Sequence, residues 1–211
     1  NPNRNPALSP GQIEARLAAC VHAMAAPQCI VPAKPGGGMD QTCKLAQQGL
    51  AGHAGNSETP LQIRYLPGGI GAVAWNSVVS QKRSEADTLV AFSGGSLLNL
   101  AEGKYGRASA ADVRWVAALG TDYGMISVRE DSPYRTLRDL FAAWKQTPVQ
   151  SAIGAGGTIG SQDWLKVALI ARQDGIAIKN LRFVAFEGGG EAFTALLAGH
   201  VQAVSGDVSE A

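Results

Sequence analysis

Five times along this chain a short apolar run ends in a glycine-rich turn and passes into an amphipathic stretch, and that succession limits the fold more than any other feature. The turns are Pro35-Gly-Gly-Gly38, Pro67-Gly-Gly69, Ser93-Gly-Gly-Ser96, Gly154-Ala-Gly-Gly157 and Glu187-Gly-Gly-Gly190. The apolar runs are too short for buried helices, so they read as strands, and the stretches after the turns carry helical spacing. Repeated βα units give a mostly parallel sheet covered by helices. The pattern predicts strands over 29–33, 61–65, 88–92, 149–153, 181–186 and 201–205. Helices are expected over 39–54, with Leu45 and Leu50 on the apolar side, up to 82, and over 97–102, 137–145, 161–173 and up to 198. Between 113 and 128 the rhythm changes, with the apolar runs 113–119 and 125–128 nearly abutting, which reads as a crossing between two lobes. The expected division is an N-terminal extension or helix over 1–28, a first lobe over 29–120 and a second over 121–211. No proline-rich linker separates the lobes, so the hinge is expected to consist of strands.

Composition removes several alternatives. Hydrophobic residues make up 45% of the 211 and charged residues 17%, which suits a compact chain rather than a disordered one. A net charge of +1 without a basic, aromatic-interleaved stripe gives nucleic-acid binding no support. No run approaches the roughly 20 apolar residues of a membrane span. Residues 17–20 and 23–25 mimic cleavage sites but lack an apolar segment upstream, so no signal peptide is read there and a helix starting near Ser9-Pro10 is expected. Of three cysteines, Cys20, Cys29 and Cys43, the last two either bridge a strand to the following helix or remain buried thiols. A zinc site from Cys20, His22, Cys29 and Cys43 matches no standard spacing, so no metal or other cofactor is expected. His22, His53 and His200 are scattered and no nucleophile elbow or P-loop occurs, which speaks against an enzyme. Ser93, Ser96 and Ser161 lack an evident base and read as hydroxyl donors to an anion.

In open α/β sheets, ligands sit outside the carboxyl ends of the strands. Glycine there lets main chain approach a ligand, and the free amides at a helix N-terminus favour an anion. The rival reading is a nucleotide-binding enzyme, because Gly69-Ile-Gly71-Ala-Val-Ala74 matches G-x-G-x-x-A. Against it, Phe92-Ser93 follows the next strand where an acidic residue should hold a ribose, and Gly154-Ala-Gly156 stands one residue too far from Gly160.

The segment from Cys29 through Pro35-Gly-Gly-Gly-Met-Asp40 to Lys44 resembles the first strand, anion loop and first helix of the periplasmic receptors of tripartite tricarboxylate transporters, the Bug-type receptors. The resemblance continues through 65–76, 154–161, 186–192 and 196–203, so it covers the chain from about residue 28 onward. It implies a two-lobed α/β fold of the periplasmic-binding-protein kind, and a monomer that closes on a small carboxylate and delivers it to membrane permease subunits without chemistry. A sensor module serving a signalling partner is the other non-enzymatic reading.

Carried onto this sequence, Ala33, Lys34, Pro35, Gly36, Gly37, Gly38 and Asp40 form the first-lobe clamp. Gly156, Gly157, Thr158 and Ser161 form the second. Gly69, Ser93, Gly94, Thr121, Glu187 and Gly188 join the candidates from the neighbouring turns. Asp40 either meets a ligand ammonium or caps its helix. Lys34, with Cys29 and Cys43, makes the segment most like the tricarboxylate-binding branch, and citrate or a related di- or tricarboxylate is the expected ligand; a solvated Lys34 is the alternative. Family members continue past the position of Ala211 to complete the first lobe, so a C-terminal part is expected to be missing and one sheet edge unfilled.

Overall fold

The computed structural model describes residues 27–51, 60–79, 87–147 and 151–210. The expectations for residues 1–26 and for the ends of the first two helices lie outside them. Two sheets form, one in each lobe. In the first, β1 (Gln28–Val31) lies between β2 (Gln62–Tyr65) and β3 (Thr88–Val90), all parallel. The helices that follow them are α1 (Gly38–Ala51), α2 (Ala72–Val79, entered through a 3₁₀ turn at Gly69–Gly71) and α3 (Gly94–Ala101). The order β2-β1-β3 is what right-handed βα crossovers on either side of a central strand produce.

The second sheet runs β4 (Gly124–Ser127), β7 (Ala203–Asp207), β5 (Ala152–Gly156), β6 (Arg182–Phe186). Here β4, the strand reached by the crossing, pairs antiparallel with β7, while β5 is parallel to both its neighbours. The helices α4 (Leu137–Gln146), α5 (Gln162–Gln173) and α6 (Gly189–Leu197) cover it. A capping box fixes the start of α4, with Thr136 Oγ1 accepting from the Asp139 amide and the Asp139 carboxylate accepting from the Thr136 amide. Its face Leu140, Phe141 and Trp144 packs on Ile153, Val167 and Ala203 as the second lobe's main core.

Four expectations need correction. The strand expected over 149–153 is β5, and it runs through Gly154-Ala155-Gly156, the segment read as a turn. A Cβ on Gly154 would stand 3.0 Å from Phe186 and 3.3 Å from Val201, so this glycine serves packing inside the sheet. The last strand lies two residues later than expected. Leu45 and Leu50 are exposed; α1 instead buries Asp40 and Cys43, with Met39 and Ala46 packed against the same core, because the helix is rotated to bring Cys43 onto β1. The apolar run 113–119 forms no strand and leaves Trp115, Val116 and Leu119 on the surface.

Of the two readings left open for Cys29 and Cys43, the disulfide is the one found, with the Cα atoms 5.7 Å apart. It ties the central strand of the first lobe to α1. No described helix is long and apolar enough to cross a membrane, and no cluster of metal-ligating side chains occurs among the described residues.

Candidate ligand cleft

The first-lobe loop 32–38 meets the second lobe at the N-terminus of α6, and glycines allow the approach. A Cβ on Gly190 would lie 3.0 Å from Pro35 O and 3.0 Å from the carbonyl carbon of Gly36; one on Gly188 would lie 3.6 Å from Ala33 Cβ. Two runs of three glycines, 36–38 and 188–190, therefore pack against one another across the cleft. A second point of contact sets Gly94 and Gly95, at the start of α3, against Gln162 of α5.

Beside the first contact lies a cavity of about 290 Å³. Lys34 and Ile70 line it from the first lobe, and Gly157, Thr158, Phe186, Glu187 and Glu191 from the second. Ile70 holds a left-handed backbone, φ 57 and ψ 39, an outlier for a β-branched residue and worth about 1–3 kcal/mol of strain. Its carbonyl accepts from the Tyr105 hydroxyl at 2.7 Å, which helps hold the turn in place. Such strain gathers at ligand clamps.

The only cation among the described lining residues is Lys34, and it is paired: its Nζ lies 2.7 Å from Glu191 Oε1. Glu191 Oε2 accepts from the Glu187 amide at 3.1 Å. Lys34 and that amide hold the Glu191 carboxyl below its usual range.

The first-lobe amides are partly satisfied by the chain's own carboxylates. Asp40 accepts from the Gly36 amide (2.8 Å), from Lys44 (2.8 Å) and from the Tyr65 hydroxyl (2.9 Å). Burial alone would raise its carboxyl, and these bonds outweigh it and hold it low. Asp40 is fully buried, so its carboxylate braces the loop against the helix. The Gly38 amide donates to Glu210 Oε1 at 3.2 Å, from the 3₁₀ turn Val208–Glu210 that follows β7. Gly37 stands beside the same carboxylate.

The second-lobe loop is shaped in a similar way. Gly157 has φ +83 and donates to Phe186 O, and Ser161 caps α5 by accepting from the Trp164 amide while its hydroxyl donates to Gly156 O. Thr158 lines the cavity, and its amide meets no protein acceptor among the described residues.

The model of the tripartite tricarboxylate transporter family receptor matches residues 99–210, more than half of the sequence. The chain belongs to this family. Among solved structures it is similar to MatC (Rpa3494) from Rhodopseudomonas palustris with bound malate, at 21% identity and a TM-score of 0.72 over 86% of this chain and 60% of that one. It is likewise similar to the periplasmic binding protein BugD (14%, TM-score 0.67, 86% and 58%) and to R. palustris Rpa4515 with adipate (20%, 0.63, 87% and 59%). These likenesses carry the fold. The chain spans about three-fifths of the length of these structures. No curated protein matches the sequence.

Within this receptor fold, Lys34, Gly157, Thr158 and Glu187 of the expected residues line the cavity. Ala33, Gly36, Gly37 and Gly188 stand at the contact between lobes, with Pro35 presenting its carbonyl there. Gly69 sits in the turn that presents Ile70, Ser93 and Gly94 start α3, and Thr121 is exposed on the crossing; none of these four lines the cavity. Ile70, Phe186, Glu191 and Glu210 are additions from the structure. The signal that could have found Glu191 is its place in the first turn of a helix that opens within a run of three glycines.

Proposed function

We propose that this chain belongs to an extracytoplasmic solute-binding receptor that captures a small carboxylate between its lobes by hinge closure and delivers it to the permease of a tripartite transporter. Citrate and related di- and tricarboxylates are the first candidates. The observation that carries the reading is the interlobe cavity, which combines the Lys34 ammonium, Thr158 and a strained turn in a volume suited to a small organic acid. The malate and adipate named with two of the similar structures are both dicarboxylates. A buried disulfide fits an oxidising, periplasmic location.

The glycine at the centre of the nucleotide-like motif has a packing reason of its own. A Cβ on Gly71 would lie 3.0 Å from the Tyr105 hydroxyl and 3.5 Å from Pro32, so packing accounts for this glycine without a pyrophosphate. Calorimetric titration with citrate, tricarballylate, malate, succinate and glutamate tests the proposal. At least one is expected to bind below the millimolar range, and binding of none would sink the carboxylate reading.

Closure itself is tested at Gly190. The atoms its Cβ would meet are main chain of the opposite lobe and give way only by separating the lobes. Gly190→Ala is expected to weaken ligand binding about tenfold, or about 1.4 kcal/mol, and to prevent the fall in radius of gyration that ligand causes in X-ray scattering. An unchanged affinity with normal compaction would show that the lobes do not close at this contact.

A further inference from the structure

The cleft of a receptor for anions carries more negative than positive side-chain charge. Lys34 contributes one positive charge, Glu187 and Glu191 one negative charge each, and the described lining residues hold no other ionisable side chain. The ammonium that should attract a ligand is already held by Glu191 at 2.7 Å. Glu191 is itself held in place, because its second oxygen accepts from the Glu187 amide and it stands in the first turn of α6, where a helix favours an anion. Both partners of the pair are partly exposed, so the bond is weak enough for a ligand to open. Opening it frees the Glu191 carboxylate beside the incoming ligand.

We propose that Glu191 is the charge-selecting residue of the cleft: as resident counter-ion of Lys34, it makes the site discriminate against ligands of high negative charge. This rests on the carboxylate reading and narrows it. One ligand carboxylate replaces Glu191 at Lys34 and uses amides such as that of Thr158. Every further carboxylate then shares a cavity of about 290 Å³ with Glu191 and Glu187, within range of their repulsion. Dicarboxylates are thereby favoured over tricarboxylates of equal length, against the expectation that Lys34 serves a trianion.

Tricarballylate and glutarate share a carbon chain and differ by one central carboxylate, so their affinity ratio isolates the effect of charge. Calorimetry at pH 7.5 and low salt is expected to show Glu191→Gln raising the tricarballylate-to-glutarate ratio about tenfold over that of the unaltered chain. Glu187→Gln, which removes the other cleft carboxylate and leaves Lys34 paired, should move the ratio less. A melting temperature within about 2 °C of the parent is expected for both variants, since exposed pairs add little stability. A ratio within twofold of the parent in Glu191→Gln, or a larger change in Glu187→Gln, overturns the assignment and leaves carboxylate binding standing. If neither ligand binds the parent or either variant, this inference is overturned, and the carboxylate reading falls with it only if citrate, malate, succinate and glutamate fail to bind as well.

Discussion

Replacing Lys166 with methionine is expected to cost about 2–3 kcal/mol of stability, less than removing one partner from a fully buried pair, because solvent reaches part of its charge cluster. Lys166 lies on α5 under β4, with Gly124 leaving room for its stem. Its ammonium contacts Asp163 Oδ1 (2.7 Å), Asp207 Oδ1 (2.6 Å) and Gly206 O (2.7 Å). Glu210, close by, accepts from the Asp207 and Gly38 amides. Two carboxylates therefore share one cation where the second lobe meets the first, with the Glu210 carboxylate close by.

Burial pushes the Asp163 carboxyl up to about 6, against the pull of Lys166, and raises Glu210 as well. Burial alone would lower Lys166, but its bonds to Asp163 and Asp207 outweigh that and keep it charged. The two directions are compatible if Asp163 is the group that gives way, since one ammonium cannot fully satisfy two partly buried carboxylates. A folded-state value above the unfolded 3.8 means that the folded chain holds the extra proton. Its contribution to stability is therefore full below about pH 4 and lost as pH rises through about 6.

Urea unfolding between pH 4 and 8 should show that slope in the parent, a steeper one in Lys166→Met, and a shallower one in Asp163→Asn. At pH 8, Asp163→Asn should be no less stable than the parent, because Asp207 keeps its partner. A loss below about 1 kcal/mol in Lys166→Met would mean that water reaches the cluster and screens it.

The sequence carried the order of elements well, because each glycine-rich turn between an apolar run and a helical pattern is a local signal. It misled where one residue type serves two ends. Gly154 and Gly156 read as a turn, yet Gly154 is small because Phe186, Val201 and Val204 crowd it, and those lie 32, 47 and 50 positions away. The buried face of α1 was misassigned for a related reason: a helix with few large apolar residues presents two weak faces, and the bond from Cys43 to Cys29 decides between them. Asp40 was legible as a capping candidate from its place in the first turn. Glu191 and Glu210 were not legible as partners of the first-lobe loop. Their contacts with Lys34 and Gly38 span 157 and 172 positions, and no local pattern encodes an encounter between lobes.

Removal of the disulfide tests the first lobe by itself. Its sheet has three strands, and the core cluster that holds the bridge is built from small or medium residues, Cys29, Val31, Ala33, Cys43, Leu61 and Ala91, while the lobe's aromatics Trp75 and Tyr105 gather in a separate cluster. The second lobe has a four-stranded sheet with Phe141 and Trp144 in tilted ring contact in its core. The bridge closes a loop across 14 positions, and chain entropy alone assigns such a loop about 3 kcal/mol. Because both sulfurs are buried, removing them also leaves space that the small neighbours fill poorly. Cys29→Ala/Cys43→Ala is thus expected to lose about 3 kcal/mol or slightly more in urea unfolding. The loss should be local. Hydrogen exchange should quicken in β1, β2 and α1 while β5 and β7 keep their protection, because the second lobe's core has no share in the bridge. Equal quickening in both sheets would mean that the contact between the glycine runs 36–38 and 188–190 couples the lobes into one cooperative unit, and that the cleft is held shut by more than its ligand.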